Sequence, residues 1–340
     1  MTNNQNTHSD HHSARIDRRE FVNRCVKAGV SVAAVGGAAY YLYDAEGPAA
    51  HPAEKSEITL PDFSVPHKAG DTMSIVSSDN RREGIDKAIS LLGGMERFIE
   101  PNDRVVIKPN VAFSSPPALG ATSHPEAVGK LVELSLKAGA ASVVVTDNPI
   151  NDPASCFDIS GIREATEKAG GKVILPADDL FRNTTVENGQ LIKNWPVLYG
   201  ALKTADKLIG LAPVKHHTRS GASMTMKNWY GLLGGRRNIF HQQMNRIIYE
   251  LTLLSKPTLV VLDGVTTMIS NGPTGGSTSD LKETNKIVAS CDTVAADSFG
   301  ATLLGLKQED LPYIGMAQEA DIGTADYQSL KPQTGGTKKG

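Results

Sequence analysis

The chain has 340 residues, of which 40% are hydrophobic, 21% charged and 5% aromatic, the composition of an ordinary soluble globular protein. This length accommodates one large domain or two modest ones. The net charge of −2 and the sparse aromatic residues speak against a nucleic-acid partner, which would require a basic surface with stacking side chains.

The N-terminus is predicted to be a leader rather than part of the fold. Arg18-Arg19 and Phe21 precede a weakly apolar stretch at residues 28–43. The stretch is shorter than the roughly 20 residues that span a bilayer. Paired arginines followed by such a stretch are typical of a twin-arginine export signal. We therefore expect residues 1–47 to engage the twin-arginine translocation machinery, with a cleavage site at Ala45-Glu46-Gly47.

This leader leaves two locations open. A cleaved leader predicts a periplasmic or otherwise exported protein, whereas an uncleaved one would anchor the protein to the membrane. Proteins that use this route usually fold before export, and many load a cofactor first. The leader is therefore also a hint of a cofactor.

The rest of the chain has the pattern of alternating strands and helices. Residues 48–72, rich in Pro, Ala and charge, are predicted to be a linker. The predicted strands are 73–76, 104–107, 142–146, 172–175, 207–211, 258–262 and 286–289. The predicted helices are 81–92, 124–138, 159–169, 223–232, 240–254 and 293–304. Because many strands are continuous Val, Ile and Leu runs, we predict an α/β fold with a mainly parallel sheet flanked by helices.

The predicted domain covers residues 73–328 and carries a small insertion. Residues 186–191 include Asn188-Gly189, a pair that favours a tight hairpin turn. We therefore expect a small β-hairpin that decorates the sheet. The tail at 329–340 is polar and glycine-rich and is expected to be disordered.

Polar side chains follow four of the predicted strands. The four groups are Lys108-Pro109-Asn110, Asp147-Asn148-Pro149, Lys215-His216-His217 and Asp263-Gly264. The carboxyl ends of parallel strands meet at one edge of a sheet, where ligands of open α/β folds bind. We therefore expect these groups to converge on one site.

The segment 213–241 indicates what that site binds. It contains three histidines, two lysines and three arginines but no carboxylate. A segment that only fills a core would be mostly aliphatic, and a solvated face would include Asp and Glu. We therefore predict a site for a small anionic molecule. The predicted catalytic residues are His217, His241 and Lys227; the predicted substrate-binding residues are Lys108, Asn110, Lys215, Asn228 and Arg236.

Two details refine this set. His217 is a candidate general base or metal ligand. His216 would face the opposite way if the segment is extended, because neighbouring residues of a strand alternate in direction. Lys227 and Gly231 are four residues apart on one helical face, and the glycine would let another group approach the backbone closely.

A metal ion is the cofactor considered for this site. Asp297 lies in an otherwise apolar predicted helix, where a carboxylate needs a partner. It is expected to pair with a cation of the 213–241 segment or to bind a metal together with Asp263. Cys25, Cys156 and Cys291 are far apart, and no Cys-x-x-Cys occurs, so no iron–sulfur cluster is expected from this chain.

An ordered set of motifs resembles one known family. The motifs are 103–110, Thr122-Ser123-His124-Pro125-Glu126, Asp147-Asn148-Pro149, Lys215-His216-His217, Lys227-Asn228 with Gly231, 261–264 and Asn271-Gly272-Pro273. Over roughly residues 73–310 they are similar to the domain-of-unknown-function 362 family. In its Lys-x-His pattern His216 takes the variable position, which the resemblance implies is not functional. Many members carry a ferredoxin-like segment, from which this chain departs by lacking clustered cysteines.

Three functions remain open from the sequence. The first is an exported enzyme that acts on a small anionic substrate, with lysines and Arg236 holding the anion and His217 or His241 moving a proton. The second is a metal- or cofactor-binding accessory protein for a redox partner, with His217, His241, Asp263 and Asp297 as ligands. The third is a non-catalytic binding protein for an exported anion.

Overall fold

A computed structural model describes residues 17–41, 57–66 and 70–337. The chain divides into two compact units, residues 1–52 and residues 53–340. The described part of the first unit is one helix, α1 (Arg18–Tyr41). The predicted cleavage site at Ala45-Glu46-Gly47 lies outside the described residues. Across the described ranges, none of the helices combines the length and the apolar composition that crossing a membrane requires.

The described part of the second unit contains eleven strands. They are β1 (Met73–Ser77), β2 (Arg104–Lys108), β3 (Ser142–Val145), β4 (Lys172–Val173), β5 (Phe181–Thr184), β6 (Trp195–Leu198), β7 (Lys207–His217), β8 (Gly221–Ser223), β9 (Leu259–Met268), β10 (Leu281–Ser290) and β11 (Gln333–Gly336). Nine of them form one sheet in the order β11-β1-β10-β9-β7-β2-β3-β4, with β8 paired to β7.

The main sheet is mixed but mostly parallel. Strands β9, β7, β2, β3 and β4 run parallel, as do β1 and β11. Strand β10 is antiparallel to β1 and β9, and β8 is antiparallel to β7. The predicted α/β fold with a mainly parallel sheet is therefore confirmed, and the antiparallel pairings add detail that apolar runs do not encode.

Helices cover both faces of this sheet. They are α2 (Arg81–Leu91), α3 (Pro125–Lys137), α4 (Pro153–Ile159), α5 (Ile162–Lys168), α6 (Thr225–Asn228), α7 (Met244–Leu254), α8 (Thr293–Leu303) and α9 (Pro312–Glu319). In β2, Val105 and Ile107 join one buried cluster with residues of α2 and α3, whereas Val106 joins a second cluster with residues of α6 and α7. Alternate side chains thus enter two separate cores, which explains the continuous apolar runs.

Three predicted helices differ from the observed ones. The predicted helix 159–169 is observed as α5 alone, which Gly161, at a left-handed φ of 70°, separates from the unpredicted helix α4. The predicted helix 223–232 is the short α6 followed by a 3-10 turn at Trp229–Leu232. The predicted helix 240–254 begins only at Met244, after a 3-10 segment at Arg237–Gln243. The two 3-10 segments determine the course of the backbone in the polar segment 213–241 and directly after it.

Two strands are longer than their apolar runs. Strand β7 continues to His217 and pairs there with β8, so Lys215 and His217 lie within the strand rather than after its predicted end at residue 211. Strand β9 continues to Met268, which places Asp263 within the strand rather than after it. Backbone pairing extends both strands past the point where their side chains cease to be apolar.

The predicted linker and tail both contain ordered structure. Leu60 and Phe63, in the described part of the linker, are buried in a core cluster. The Phe63 backbone N–H donates to the Lys256 carbonyl oxygen at 3.0 Å. The expectation of a disordered tail is wrong for Gln333–Gly336, because this segment pairs with β1. Such pairing uses backbone groups and covers a sheet edge, so it requires no apolar pattern.

The predicted hairpin is present as a small second sheet. Strands β5 and β6 pair antiparallel, and the loop between them has Asn188 at a φ of 60°. The carboxylate of Glu250, fully buried on α7, accepts backbone N–H groups of Gln190, Leu191 and Ile192 at 2.7 to 3.1 Å. It is also paired with Arg246 at 2.9 Å. One side chain therefore fastens the hairpin loop to the domain.

We expect Glu250→Gln to lower the free energy of unfolding by about 3 kcal/mol, because the new amide would turn an N–H₂ group toward backbone donors and remove the charge opposite Arg246. Urea denaturation of the two proteins measures the difference. The matched control is Glu319→Gln, because Glu319 is an exposed glutamate at the end of α9. Equal midpoints for both variants would contradict the prediction.

Candidate functional site

The ends of β2, β3 and β7, together with the segment after β8, enclose a cavity of about 420 Å³. This size is typical of a small-molecule site. Seven predicted residues line it: Lys108, Asn110, Lys215, His217, Lys227, Asn228 and His241. The other lining residues are Ala112, Phe113, Asp147, Asn148, Pro149, Ile150, Ser223, Tyr230, Gly231, Gly235, Arg237, Asn238 and Pro273. The predicted convergence of strand ends therefore holds for three of the four groups.

The base of the cavity is a buried ion pair. Lys108 Nζ lies 2.7 Å from Asp147 Oδ1, and each side chain is at most 2% exposed. The ammonium also donates to the Pro109 carbonyl oxygen at 2.8 Å and to Asn228 Oδ1 at 3.0 Å. Burial lowers the pKa of Lys108, and Asp147 opposes this shift. All three ammonium hydrogens have protein acceptors, so Lys108 orders the site rather than binding a ligand directly.

Asp147 completes this pair from the end of β3. Its Oδ2 accepts the Val111 N–H at 2.7 Å, and its Oδ1 accepts its neighbour Asn148's N–H at 3.0 Å. In the sequence this aspartate is only a polar residue after a strand. Its role depends on a lysine 39 positions earlier, and nothing in the local pattern indicates that partner.

Asn228 connects the neighbouring strands β2 and β7. Its side-chain N–H₂ donates to the carbonyl oxygens of Lys108 and Leu211, both at 3.1 Å. Its Oδ1 accepts from Lys108 and, at 3.4 Å, from Asn110. Both ends of the amide are therefore engaged, which makes Asn228 a positioning residue rather than the predicted substrate ligand.

Gly231 faces this pair, and its missing side chain makes room for it. A Cβ at this position would overlap Asp147 Oδ1 and lie 2.6 Å from Lys108 Nζ. The prediction that Gly231 permits a close approach to the backbone is thereby explained: the approaching groups are those of the ion pair. The Gly231 carbonyl oxygen also accepts the Asn148 N–H at 2.9 Å.

Lys215 is a buried amine without a carboxylate partner in the described ranges. Its Nζ donates to the Ala121 carbonyl oxygen at 2.5 Å and to Asn110 Oδ1 at 3.2 Å, and lies 5.6 Å from the centre of the Phe113 ring. Burial, followed by repulsion from Lys227, lowers the pKa of Lys215 to about 7. Two of its ammonium hydrogens therefore already have protein acceptors, and the amine gains or loses its charge near neutral pH.

Lys227 is the least engaged cation of the cavity. Within the described part of the chain its Nζ makes neither a hydrogen bond nor an ion pair, and it lies 5.2 Å from the centre of the Tyr230 ring. Burial, with Arg237 and then Lys108 as cationic neighbours, lowers the pKa of Lys227 to about 8. It is therefore an amine that is available to a ligand.

His217 is a neutral hydrogen-bond donor rather than the predicted base. Its Nδ1 accepts the backbone N–H groups of Arg219 and Ser220 at 3.2 and 3.3 Å, so the ring hydrogen must be on Nε2. Burial and the nearby cations, Lys227 first, lower the pKa of His217 to about 3. The ring therefore stays uncharged at neutral pH, and its Nε2–H is the donor left for a ligand.

His241 has the opposite tautomer. Its Nδ1 lies 2.9 Å from the Asn238 carbonyl oxygen, an acceptor only, so Nδ1 carries the hydrogen and donates it. The neutral ring then has a free electron pair on Nε2. Of the two predicted catalytic histidines, His241 is therefore the one that can accept a proton.

The arginine of the site is Arg237 rather than the predicted Arg236. Arg237 donates to four backbone carbonyl oxygens, those of Tyr230, Leu233, Asn148 and Pro149, at 2.7 to 3.2 Å. Arg236 is exposed and does not line the cavity. Adjacent arginines in a Gly-Gly-Arg-Arg segment look alike in sequence, and only the 3-10 segment that starts at Arg237 decides which one turns inward.

His216 confirms the alternation expected for an extended segment. It lies between Lys215 and His217 on β7 but does not line the cavity. Its Nδ1 instead accepts the Gly272 N–H at 3.2 Å. His216 thus holds the loop that brings Pro273 to the cavity wall, which is a structural role.

The two predicted metal ligands have separate partners and do not line this cavity. Asp263 is paired with Arg81 at 3.0 Å beside a smaller cavity of about 120 Å³. Asp297 accepts the N–H groups of Thr225 and Met226 at 2.7 and 3.1 Å, and burial raises the pKa of Asp297 to about 7. In the described ranges no three His, Cys, Asp or Glu side chains are grouped as metal ligands.

Comparison with known proteins places this cavity in a shared region. A family model described as "Domain of unknown function (DUF362)" matches residues 105–302, which include every residue that lines the cavity. The thylakoid-associated protein sll1697 of Synechocystis sp. is 28% identical over 240 residues. That alignment covers 67% of this chain and 71% of the relative.

We expect Gly231→Ala to lower the free energy of unfolding by about 3 kcal/mol, because the added methyl group would separate the buried charges of Lys108 and Asp147. Urea denaturation measures the change. In the control, Gly315→Ala on α9, the new Cβ would meet nothing within 4 Å. That variant should be slightly stabilised, since alanine favours helix. A Gly231→Ala protein as stable as the control would refute the role assigned to this glycine.

Proposed function

This chain belongs to the DUF362 family, whose description names no activity, and we propose from its own side chains that it is an enzyme acting on a small anionic substrate. The proposed site is the cavity between the ends of β2, β3 and β7. Lys215, Lys227 and the Nε2–H of His217 would bind the anionic group. His241 would exchange a proton with the substrate.

One observation carries this proposal. Lys215 and Lys227 line a cavity in which the one carboxylate, Asp147, is already paired with Lys108. Two amines in a partly buried site, without a counterion among the described residues, are costly because their charges are poorly solvated. The lowered pKa values of both lysines express this cost. An anionic ligand would offset it by supplying the missing charge.

The two histidines favour an enzyme over a passive binding protein. His217 is fixed as a donor and His241 as an acceptor, so opposite proton roles face the same cavity. If the lysines held the carboxylate or phosphate group of a substrate, the neighbouring carbon or oxygen atom of that substrate would lie in the same cavity of about 420 Å³. That arrangement suits proton transfer to or from a substrate.

We also propose that the protein acts outside the cytoplasm. Residues 1–47 would be a twin-arginine leader, and helix α1, which begins at the arginine pair and continues into the weakly apolar stretch, would be its central part. The relative from Synechocystis sp. is named as thylakoid-associated, which fits a location at or beyond a membrane. Whether the leader is cleaved decides between a periplasmic and an anchored protein.

The mature protein should bind inorganic phosphate or succinate in isothermal titration calorimetry. Lys227→Met should weaken binding at least about tenfold, because it removes one charged hydrogen bond while keeping the apolar stem. Lys203→Met is the control, since Lys203 is exposed and outside the cavity. Absence of binding for both anions, or equal affinity in the Lys227→Met variant, would overturn the proposal.

The same titrations, repeated at several pH values, test the role of the amines. A lysine holds an anion only while protonated, and the pKa values of Lys215 and Lys227 are lowered to about 7 and about 8. Affinity should therefore fall as the pH rises through this range. For bound succinate, whose CH₂ groups can be followed by NMR, His241→Asn should keep the affinity but abolish exchange of the C–H hydrogens with deuterated water.

Export is tested by cell fractionation. The chain with Arg18→Lys and Arg19→Lys together should remain in the cytoplasm, because lysines keep the charge but not the arginine pair that the translocation machinery recognises. The control replaces Arg24→Lys, in the same helix. Export of the double variant at the level of the control would show that the leader acts by another route.

A further inference from the structure

We propose that the amine of Lys227 forms an imine with a small carbonyl compound that also carries a carboxylate or phosphate, an inference that rests on the anion-binding function proposed above. The substrate class would then be oxo acids or carbonyl phosphates. The anionic group would sit on Lys215 and the Nε2–H of His217, and the carbonyl carbon at Lys227 Nζ.

The engagement of the cavity lysines selects Lys227 as the nucleophile. Lys108 Nζ has three acceptors, and Lys215 Nζ has two. For Lys227 the described residues provide neither a hydrogen-bond acceptor nor a carboxylate, and the centre of the Tyr230 ring lies 5.2 Å from its Nζ. Attack on a carbonyl requires a free electron pair on nitrogen, and Lys227 is the lysine whose amine is not already committed.

The backbone that carries Lys227 is held firmly. Helix α6 has only four residues, Thr225–Asn228, yet both of its ends are anchored. Asp297 accepts the N–H groups of Thr225 and Met226, and the Asn228 side chain donates to backbone carbonyl oxygens of β2 and β7. The lysine between these anchors is therefore fixed at its Cα while its side chain remains free to reach a ligand.

Cationic neighbours supply the neutral amine that the attack needs. The pKa of Lys227 is lowered to about 8 by burial, then by Arg237 and Lys108. A desolvated lysine next to other cations is a recognised way to activate an amine at neutral pH. The same cations attract the anionic group of the substrate, so binding and activation have one origin.

The chemical step balances without a further reactant. The electron pair of the neutral amine forms an N–C bond as the C=O pair moves onto oxygen. Nitrogen then releases a proton to Nε2 of His241. His241 passes that proton to the oxygen, which gives the neutral carbinolamine. The remaining N–H proton then follows the same route, and the oxygen leaves as water while the C=N bond forms. Nothing is oxidised or reduced.

Reductive trapping tests the inference. The full mature protein is incubated with pyruvate or with glycolaldehyde phosphate and sodium cyanoborohydride, and the modified lysine is identified by peptide mass spectrometry. We expect saturable labelling of Lys227 that succinate suppresses. At probe concentrations that saturate the site at each pH, labelling should increase as the pH approaches 8, because the neutral amine becomes more abundant. Preference for one probe would distinguish oxo acids from carbonyl phosphates.

Two conservative variants serve as controls. Lys227→Arg keeps the charge but not the nucleophile, so it should lose the labelling while still binding succinate. Lys203→Arg, outside the cavity, should be labelled like the wild type. Saturable labelling at Lys215, or scattered labelling of surface lysines alone, would overturn the inference. Succinate binding without any trapping would overturn it too but leave the proposed function intact, whereas absence of all anion binding would remove both.

Discussion

The site depends on one buried ion pair, that of Lys108 and Asp147. Each charge comes from the end of a neighbouring parallel strand, and neither is solvated. Such a pair is stable only if the remaining polar atoms are satisfied. Asn228, the Pro109 carbonyl oxygen and the Val111 N–H satisfy them, and Gly231 leaves the space. The strand ends, α6 and the turn after it are thereby tied together at the base of the cavity.

This pair also sets the electrostatics of the cavity above it. Asp147 is the carboxylate among the lining residues, and Lys108 holds one of its oxygens at 2.7 Å. The other cations of the cavity, Lys215, Lys227 and Arg237, therefore have no carboxylate partner among the lining residues. Their environments then assign different tasks to similar groups. Arg237 donates to backbone carbonyl oxygens and fixes one wall of the cavity. Lys215 already donates part of its ammonium hydrogens to the protein, whereas Lys227 is available to a ligand.

Much of this arrangement could be predicted from the sequence, since it follows from local rules. Apolar runs indicate parallel strands, and the strand ends indicate where Lys108, Lys215 and His217 meet. The alternation of residues in a strand separates His217 from His216. These rules involve neighbours along the chain or a fold-wide regularity, which is why they transfer directly to the folded protein.

The other features of the site depend on contacts between residues that are far apart in the sequence. Arg236 and Arg237 cannot be distinguished without the turn that orients them, and Asp263 is taken by Arg81, a residue 182 positions away. Asp297 does need a partner, as its apolar helix indicates, but the partner is the backbone of α6 rather than a metal or a cation. The tautomers of His217 and His241 likewise depend on backbone atoms to which the sequence pattern gives no clue.

The small β5–β6 sheet supports one wall of the cavity. It holds the wall that carries Arg237 and His241: Gly234 bonds to the Pro196 carbonyl oxygen at 2.8 Å, and Trp195 packs on Phe240 with ring centres 4.5 Å apart. The opposite wall is built on the main sheet. One wall of the cavity is therefore built on the main sheet, and the other is held by the small β5–β6 sheet. A change in the hairpin would therefore act first on the wall that carries Arg237 and His241, and not on the ion pair of Lys108 and Asp147 at the base of the cavity.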